Sequence, residues 1–112
     1  MGLVFKVFKE LGFGHKENFF QKALAREFED NGFKFKEQLR CRVKYKGEEL
    51  GYYIFDFLLF DKIVLEIKQR NFISSKDIDQ LHKYLKAAKL KLGIIITFTS
   101  EGVRYKRIVN LD

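Results

Sequence analysis

Two acidic residues and one lysine occur on neighbouring hydrophobic segments of this chain. Asp56 lies inside YYIFDFLLF, where it is the only charged residue, and Glu66 and Lys68 follow in IVLEIKQ. A fold tolerates a carboxylate within an apolar strand only where a cation or several hydrogen bonds compensate for its lost hydration. These three residues are therefore the first candidates for chemistry.

The spacing of these residues suits hydrolysis of a phosphodiester bond. Strand alternation predicts that Glu66 and Lys68 share one face, and a tight hairpin between the two segments would bring Asp56 beside them. Carboxylate oxygens are ligands for Mg²⁺, with Mn²⁺ as a substitute, and Mg²⁺ also accepts water and phosphate oxygens. We therefore predict Asp56 and Glu66 as metal ligands. Lys68 is predicted to orient the attacking water and to counter the negative charge that develops on the phosphate.

A purely structural interpretation of the same residues stays open. A salt bridge between Glu66 and Lys68, with Asp56 bonded to backbone amides, would satisfy all three charges without catalysis. We prefer the catalytic interpretation because converging charges on apolar strands are typical of functional sites.

Two predicted helices contribute further candidates. Glu17 shares a helical stripe with Phe20 and Leu24, so its carboxylate is expected to point toward the sheet. The alternative is an acidic residue that merely favours the helix dipole. Gln80 and Tyr84 lie one turn apart at the edge of an apolar stripe, where Gln80 could reach a phosphate or a metal-bound water. The alternative for this pair is a half-buried helix boundary.

The pattern around these candidates predicts an α/β fold. Asn31-Gly32 is a helix stop, Ser74 or Ser75 is a helix cap, and the first dozen residues are expected to form a short strand or an extended arm. A helix between the third and fourth strands would make that strand pair parallel. We expect a central mixed β-sheet of about five strands flanked by two helices. The predicted helices are 14–31 and about 76–89, and the predicted strands are 35–45, 50–59, 63–68, 92–98 and 103–109.

The first predicted strand has a basic face. Its apolar face comprises Phe35, Leu39, Cys41, Val43 and Tyr45, with Glu37 out of pattern, and its other face comprises Lys36, Gln38, Arg40, Arg42 and Lys44. The basic face could follow a phosphate backbone, or it could be an edge strand that uses charge to prevent aggregation. The candidate nucleic-acid-binding residues are Lys36, Arg40, Arg42, Lys44, Lys76, Arg104, Lys106 and Arg107.

Composition limits the class of protein. The 112 residues predict a single domain (1–112), and 22 Lys and Arg against 15 Asp and Glu give a net charge of +7. This excess is compatible with a polyanionic partner such as nucleic acid, or with a surface that keeps a Phe-rich protein soluble. Cys41 is the single cysteine, and neither histidine has a partner at zinc-ligand spacing. We find no signal peptide or membrane-length apolar run, so we expect a cytoplasmic protein without a membrane partner.

Taken together, these residues resemble the PD-(D/E)XK nuclease superfamily. The matching residues are Asp56 and Glu66-Ile67-Lys68, and Gln80-Leu-His-Lys-Tyr84 is similar to the Gln-x-x-x-Tyr motif of RecB-type nucleases. The resemblance implies a restriction-endonuclease-like core and metal-dependent cleavage of nucleic acid, with DNA more expected than RNA. We also expect a homodimer, as in many small nucleases of this fold, because a domain of 112 residues has little surface with which to enclose a substrate.

A narrower resemblance is to the GxxExxY protein family, and it covers residues 14–109. The chain departs from that family's pattern at Phe20, where the family name has tyrosine, and from the superfamily's label at Phe55, where the label has proline. The alternative function is a catalytically inactive nucleic-acid-binding module or accessory subunit, for example within a larger repair or mobile-element complex. The segments that carry the narrower resemblance are Gly14-His-Lys-Glu17-Asn-Phe-Phe20, Ala23-Leu24, Tyr45-Lys46-Gly47, Asp56, Glu66-Ile-Lys68, Gln80-Leu-His-Lys-Tyr84-Leu85 and Lys106-Arg107-Ile108.

Overall fold

A computed structural model describes residues 1–111, which form two helices, three strands, a third helix and two further strands in that order. Asp112, the last residue of the predicted domain, lies outside the described residues. None of the described helices is both long and apolar enough to cross a membrane. The elements are α1 (Gly2–Leu11), α2 (Glu17–Asp30), β1 (Phe35–Tyr45), β2 (Glu48–Leu59), β3 (Ile63–Lys68), α3 (Ser75–Ala88), β4 (Leu92–Thr99) and β5 (Gly102–Val109).

The five strands form one mixed sheet in the order β1-β2-β3-β4-β5. Neighbouring strands are antiparallel except β3 and β4, which are parallel. Helix α3 connects these two, because parallel neighbours need a crossover connection that a tight turn cannot supply. The predicted mixed sheet of five strands is therefore confirmed.

Helices cover both faces of the sheet, and each face has its own hydrophobic cluster. On one face α1 and α2 pack on the sheet through buried residues that include Val4, Phe20 and Leu24. On the other face α3 packs through Leu81 and Leu85. The inner strands β3 and β4 alternate between the two clusters, as expected of strands buried on both sides.

The N-terminal segment is a helix, so the expectation of a strand or extended arm was wrong, as was the count of two flanking helices. Val4 and Val7 of α1 are buried at helical spacing, and Phe8 stacks on Phe98 of β4 at 5.7 Å. The valines and phenylalanines of this segment favour strands when considered singly. Their three-to-four-residue spacing is the decisive signal for a helix. Helix α1 packs on the α2 side of the hydrophobic core.

The predicted helix 14–31 begins later than expected, at Glu17, because Gly12 and Gly14 both have positive φ and Lys16 is extended. Its C-terminal end is as predicted: Gly32 has φ 71, the left-handed conformation that ends helices. At α3 the predicted cap is Ser74, whose side chain and that of Asp77 form a capping box.

Side-chain alternation is interrupted at one position of β1 and β2, so that residues before and after it point to opposite faces of the sheet. The single basic face predicted for β1 was therefore wrong. Phe35 packs in the α2-side cluster, whereas Leu39 packs in the α3-side cluster. Between them Gln38 has φ 54, and the ladder omits the opposed pair Gln38 and Asp56. Beyond Gln38 the alternation of β1 side chains is therefore reversed. As a result Lys36 lies on the opposite face of the sheet from Arg40 and Arg42.

Gly93 of β4 lies directly beneath Leu81 of α3, and we expect Gly93→Ala to destabilise the fold. A Cβ added there would lie 2.7 Å from Cδ2 of Leu81, a side chain that is itself buried. Overpacking of this kind lowers the free energy of unfolding by about 1–3 kcal/mol, measurable by urea denaturation. Gly51→Ala is the matched control, since nothing lies within 4 Å of its added Cβ. Equal stability of the two variants would contradict the prediction.

Candidate functional site

Asp56 and Glu66 meet where β2 separates from β3. The β2–β3 ladder runs from Leu59 opposite Ile63 to Phe57 opposite Leu65 and ends there. In the same register Asp56 would face Glu66, and the parted strands leave room for both side chains. The backbone N–H of Ile67 donates a hydrogen bond of 2.7 Å to Oδ2 of Asp56. The proximity predicted for the two carboxyls is therefore present.

The two carboxyls are close enough to share a proton. Burial first, and then the hydrogen bond and negative charge of Asp56, raise the pKa of Glu66 to about 9 from an ordinary value of 4.5. The nearby positive charge of Lys68 opposes these effects without cancelling them. Without a cation, the pair is therefore expected to retain one proton at neutral pH. A divalent cation between the two oxygens could take the place of that proton.

The donor set of this site fits a hydrated magnesium ion. Within residues 1–111, no group of three or more histidine, cysteine, aspartate or glutamate side chains is placed to hold a metal. Among residues 1–111 this site offers the pair Asp56 and Glu66, which would leave other positions for water and phosphate oxygens. Mg²⁺ commonly binds through one or two carboxylates and keeps several waters.

Lys68 lies on the same side of β3 as Glu66. Their intervening neighbour Ile67 is buried in the α2-side cluster, so both charged side chains lie on the α3 face. Lys68 is paired in the parallel ladder with Thr97, which is buried. The predicted arrangement of two carboxyls and one amine on one face is thus present.

Glu17 reaches the same end of the sheet from α2. Its Oε1 accepts a 2.8 Å hydrogen bond from the backbone N–H of Gln69, the residue after β3. The side chain is exposed and lies at the end of the sheet, so it fixes where the strand carrying Lys68 ends. Its catalytic role stays a prediction.

Gln69 is a polar residue of this site that the sequence analysis overlooked. Its Oε1 is buried and has no hydrogen-bond partner among the described residues. A buried amide oxygen without a partner is costly unless water or a ligand satisfies it. Its position directly after the Glu-x-Lys segment was the available signal.

Gln80 and Tyr84 lie on α3 beside the β1–β2 hairpin. Together with Tyr53 and Cys41 they line a cavity of about 260 Å³, and Tyr84 packs on Phe55 with ring centroids 4.9 Å apart. Burial raises the pKa of Tyr84. No hydrogen bond or ion pair within residues 1–111 connects either residue to the carboxyl pair. The catalytic role of Gln80 and Tyr84 therefore stays a prediction.

A second, polar cavity lies at the carboxyl ends of β3 and β4, the end of the sheet to which Lys68 belongs. It has a volume of about 170 Å³ and is lined by Asn71, Thr99, Ser100, Glu101 and Arg104. Arg104 is paired with Glu101 at 3.2 Å. In open α/β sheets, ligands bind beyond the carboxyl ends of parallel strands, so this cavity belongs to the same region.

The other predicted nucleic-acid-binding residues are distributed over several surfaces. Lys36 lies 3.9 Å from Asp61, and the Arg42 guanidinium lies 3.3 Å from Glu49. The Arg40 guanidinium lies over Tyr52 at 4.4 Å from the ring centroid. The remaining basic residues are exposed: Lys44 on β1, Lys76 on α3, and Lys106 and Arg107 on β5.

A family model described as the PD-(D/E)XK nuclease superfamily matches residues 1–108. The chain belongs to this superfamily. The match includes α1, which the motif resemblance had left out. PD-(D/E)XK nucleases typically use divalent metal ions, in agreement with the carboxyl pair. Membership of the narrower GxxExxY family stays a prediction.

Solved structures share the fold of this PD-(D/E)XK chain at low sequence identity. SSO0001 matches with a TM-score of 0.63 at 18% identity, over 85% of this chain and 50% of that one. An alkaline exonuclease from Laribacter hongkongensis matches with a TM-score of 0.53 at 16% identity, over 77% of this chain and 52% of that one. The same exonuclease in complex with dAMP also has a TM-score of 0.53, at 12% identity, over 96% and 76%.

The chain spans about half the length of SSO0001 and of the first exonuclease structure. These similarities establish the restriction-endonuclease-like fold. No curated protein matches the chain.

Proposed function

We propose that this protein is a Mg²⁺-dependent nuclease that hydrolyses phosphodiester bonds. The observation that carries the proposal is the carboxyl pair of Asp56 and Glu66, with Lys68 on the same face at the opening between β2 and β3. Holding two carboxyls together in a partly buried place is costly to the fold, and a bound cation would offset that cost. Membership of the PD-(D/E)XK superfamily supports the same conclusion.

Each residue of the site has a proposed role. Asp56 and Glu66 would hold the metal, which would supply a more acidic bound water and neutralise charge on the phosphate. The Lys68 ammonium positions the attacking water and stabilises the negative charge that develops on the phosphate oxygens. Glu17 positions the end of β3 through the N–H of Gln69. Gln80 and Tyr84 support the substrate from α3.

The substrate is proposed to be nucleic acid, and DNA rather than RNA. The net charge of +7 and the exposed basic residues Arg40, Lys44 and Lys76 suit a polyanion that is held mainly through its phosphates. We further propose Mn²⁺ as a substitute metal and a cytoplasmic location. We also propose a homodimer, because the small domain has little surface with which to enclose a substrate.

A cleavage assay tests the proposal. Purified protein is incubated with end-labelled single-stranded, double-stranded and branched DNA and with RNA, in Mg²⁺, Mn²⁺ or EDTA. We expect products in either metal and none in EDTA, and the wild type is compared with Asp56→Asn to exclude a contaminating nuclease. Absence of cleavage of every substrate in both metals, with binding retained, would instead favour the inactive nucleic-acid-binding module.

Metal binding is expected to be strongly pH-dependent. Because the pKa of Glu66 is raised to about 9, a metal that binds below that pH must displace a proton. Affinity for Mn²⁺ should therefore rise up to tenfold per pH unit as the pH increases toward 9, and level off above it. Titration calorimetry at pH 6, 7 and 8, in buffers of different ionisation enthalpy, counts the released protons. An affinity that does not change with pH would exclude Glu66 as a ligand.

A further inference from the structure

Two adjoining cavities lie between α3 and the β1–β2 hairpin, and Tyr53 lines both of them. Their volumes are about 270 and 260 Å³. We name them together the Tyr53 groove. Tyr53 lies on β2 and faces α3, yet its side chain is 45% exposed. The groove is lined chiefly by Arg42, Tyr53, Lys76, Gln80, Lys83 and Tyr84.

The groove combines an exposed ring with cationic walls. Lys76 and Lys83 line it together with one carboxylate, that of Asp79. No ion pair within residues 1–111 involves Lys76 or Lys83, so both ammonium groups are available to a ligand. A cationic groove with an aromatic platform is the arrangement that holds unpaired bases and their phosphates.

The groove leads toward the carboxyl pair. Tyr53 is three residues before Asp56 on the same strand, a separation of roughly 10 Å at the usual rise of a strand. Tyr53 is paired with Cys41, which packs against α3, so its side chain lies on the same face of the sheet as Glu66 and Lys68. A nucleic-acid strand in the groove would therefore have its next phosphates close to those residues.

We propose that the Tyr53 groove binds an unpaired nucleobase of a substrate strand, stacked on Tyr53, with flanking phosphates held by Lys76 and Lys83. The Gln80 amide, which both donates and accepts, is positioned to contact the base edge. This inference rests on the proposed nuclease function and adds to it a substrate class, single-stranded or frayed nucleic acid. A second copy of the chain is a poorer occupant, because a symmetric contact would bring like charges together.

Binding measured without metal tests this inference independently of cleavage. Fluorescein-labelled single-stranded DNA, single-stranded RNA and duplex DNA of one sequence are titrated in EDTA with wild type, Tyr53→Ala and Tyr53→Phe. We expect Tyr53→Ala to weaken single-strand binding about 5- to 100-fold, and Tyr53→Phe to remain within about twofold of wild type. Duplex binding should change little, and the RNA arm identifies the preferred sugar.

The matched control is Tyr45→Ala, which removes a tyrosine that is 61% exposed on the same hairpin but outside the groove. Lys83→Gln, as a second variant, should reduce the slope of log affinity against log salt by about 0.7. Circular dichroism checks that each variant is folded.

Three results would overturn the inference. The first is equal single-strand affinity of Tyr53→Ala and Tyr45→Ala. The second is an unchanged salt slope in Lys83→Gln. The third is a wild-type dimer in sedimentation velocity that Tyr53→Ala dissociates, which would make the groove a self-association surface. Failure of the nuclease proposal looks different, because an uncleaved single strand would still bind through Tyr53.

Discussion

Glu66→Gln is expected to abolish cleavage and, in the absence of metal, to make the protein more stable. Glutamine keeps the shape of the side chain and can donate a hydrogen bond to Asp56, as the protonated glutamate does. It cannot supply a negative charge to a divalent ion. We expect cleavage to fall at least about 1,000-fold, because both the metal and its acidic water are lost.

The stability change follows from the pKa of Glu66. In the unfolded chain this carboxyl ionises near its ordinary value of 4.5, whereas in the metal-free fold its pKa is about 9. As the pH rises from 4.5 to 9 the unfolded state loses a proton that the folded state retains, so the wild type becomes less stable. Glutamine does not titrate, so the variant is expected to gain about 1–3 kcal/mol over the wild type at pH 8.

Thermal unfolding in EDTA measures this gain. The two proteins should melt at similar temperatures near pH 4.5, and the variant should melt increasingly higher as the pH rises. Addition of Mg²⁺ or Mn²⁺ should stabilise only the wild type. If Glu66→Gln cleaves at the wild-type rate, or if metal stabilises both proteins equally, Glu66 is not a metal ligand.

Lys68→Met is expected to lower the cleavage rate about 100- to 1,000-fold, the usual effect of removing one group that stabilises charge in the transition state. Methionine retains most of the unbranched stem of lysine and removes the ammonium. Lys68 is not a metal ligand, so stabilisation by Mn²⁺ should persist. This combination separates the role of Lys68 from that of the carboxyl pair.

Lys62→Met is the matched control for this experiment. Lys62 is exposed in the turn before β3, at the opposite end of that strand from Lys68, and the substitution changes the net charge equally. If both variants lose the same amount of activity, the effect is one of general charge and Lys68 has no special role. Loss of metal binding in Lys68→Met would contradict the assignment in a different way.

The sequence predicted the strands and α3 well because their signals are local. The bounds of β1 and β3 agree with the structure, and the Ser74 cap marks the start of α3. Helix α1 was missed because its valines and phenylalanines singly favour strands, although their three-to-four-residue spacing gives a helix whose apolar face packs on α2 and the sheet. Intrinsic preference is weak compared with burial of this kind.

The candidate site was predicted only in part, because spacing along a strand is visible in the sequence whereas a local change of backbone conformation is not. Spacing indicated that Asp56, Glu66 and Lys68 would converge, and the structure places them near one another; their catalytic roles stay a prediction. The left-handed conformation of Gln38 has no signal in residue type, so the exchange of faces in β1 could not be foreseen. Tyr53 was missed because Tyr52 and Tyr53 adjoin, and alternation alone leaves open which ring lies toward α3.

The short ladder between β2 and β3 has a mechanical consequence. Only residues 57–59 of β2 pair with β3, so residues 48–55 are held laterally by β1 alone. A two-stranded ribbon bends and twists more readily than a strand inside a sheet. The outer half of the hairpin is therefore expected to bend more readily than its base, where Asp56 and Glu66 lie.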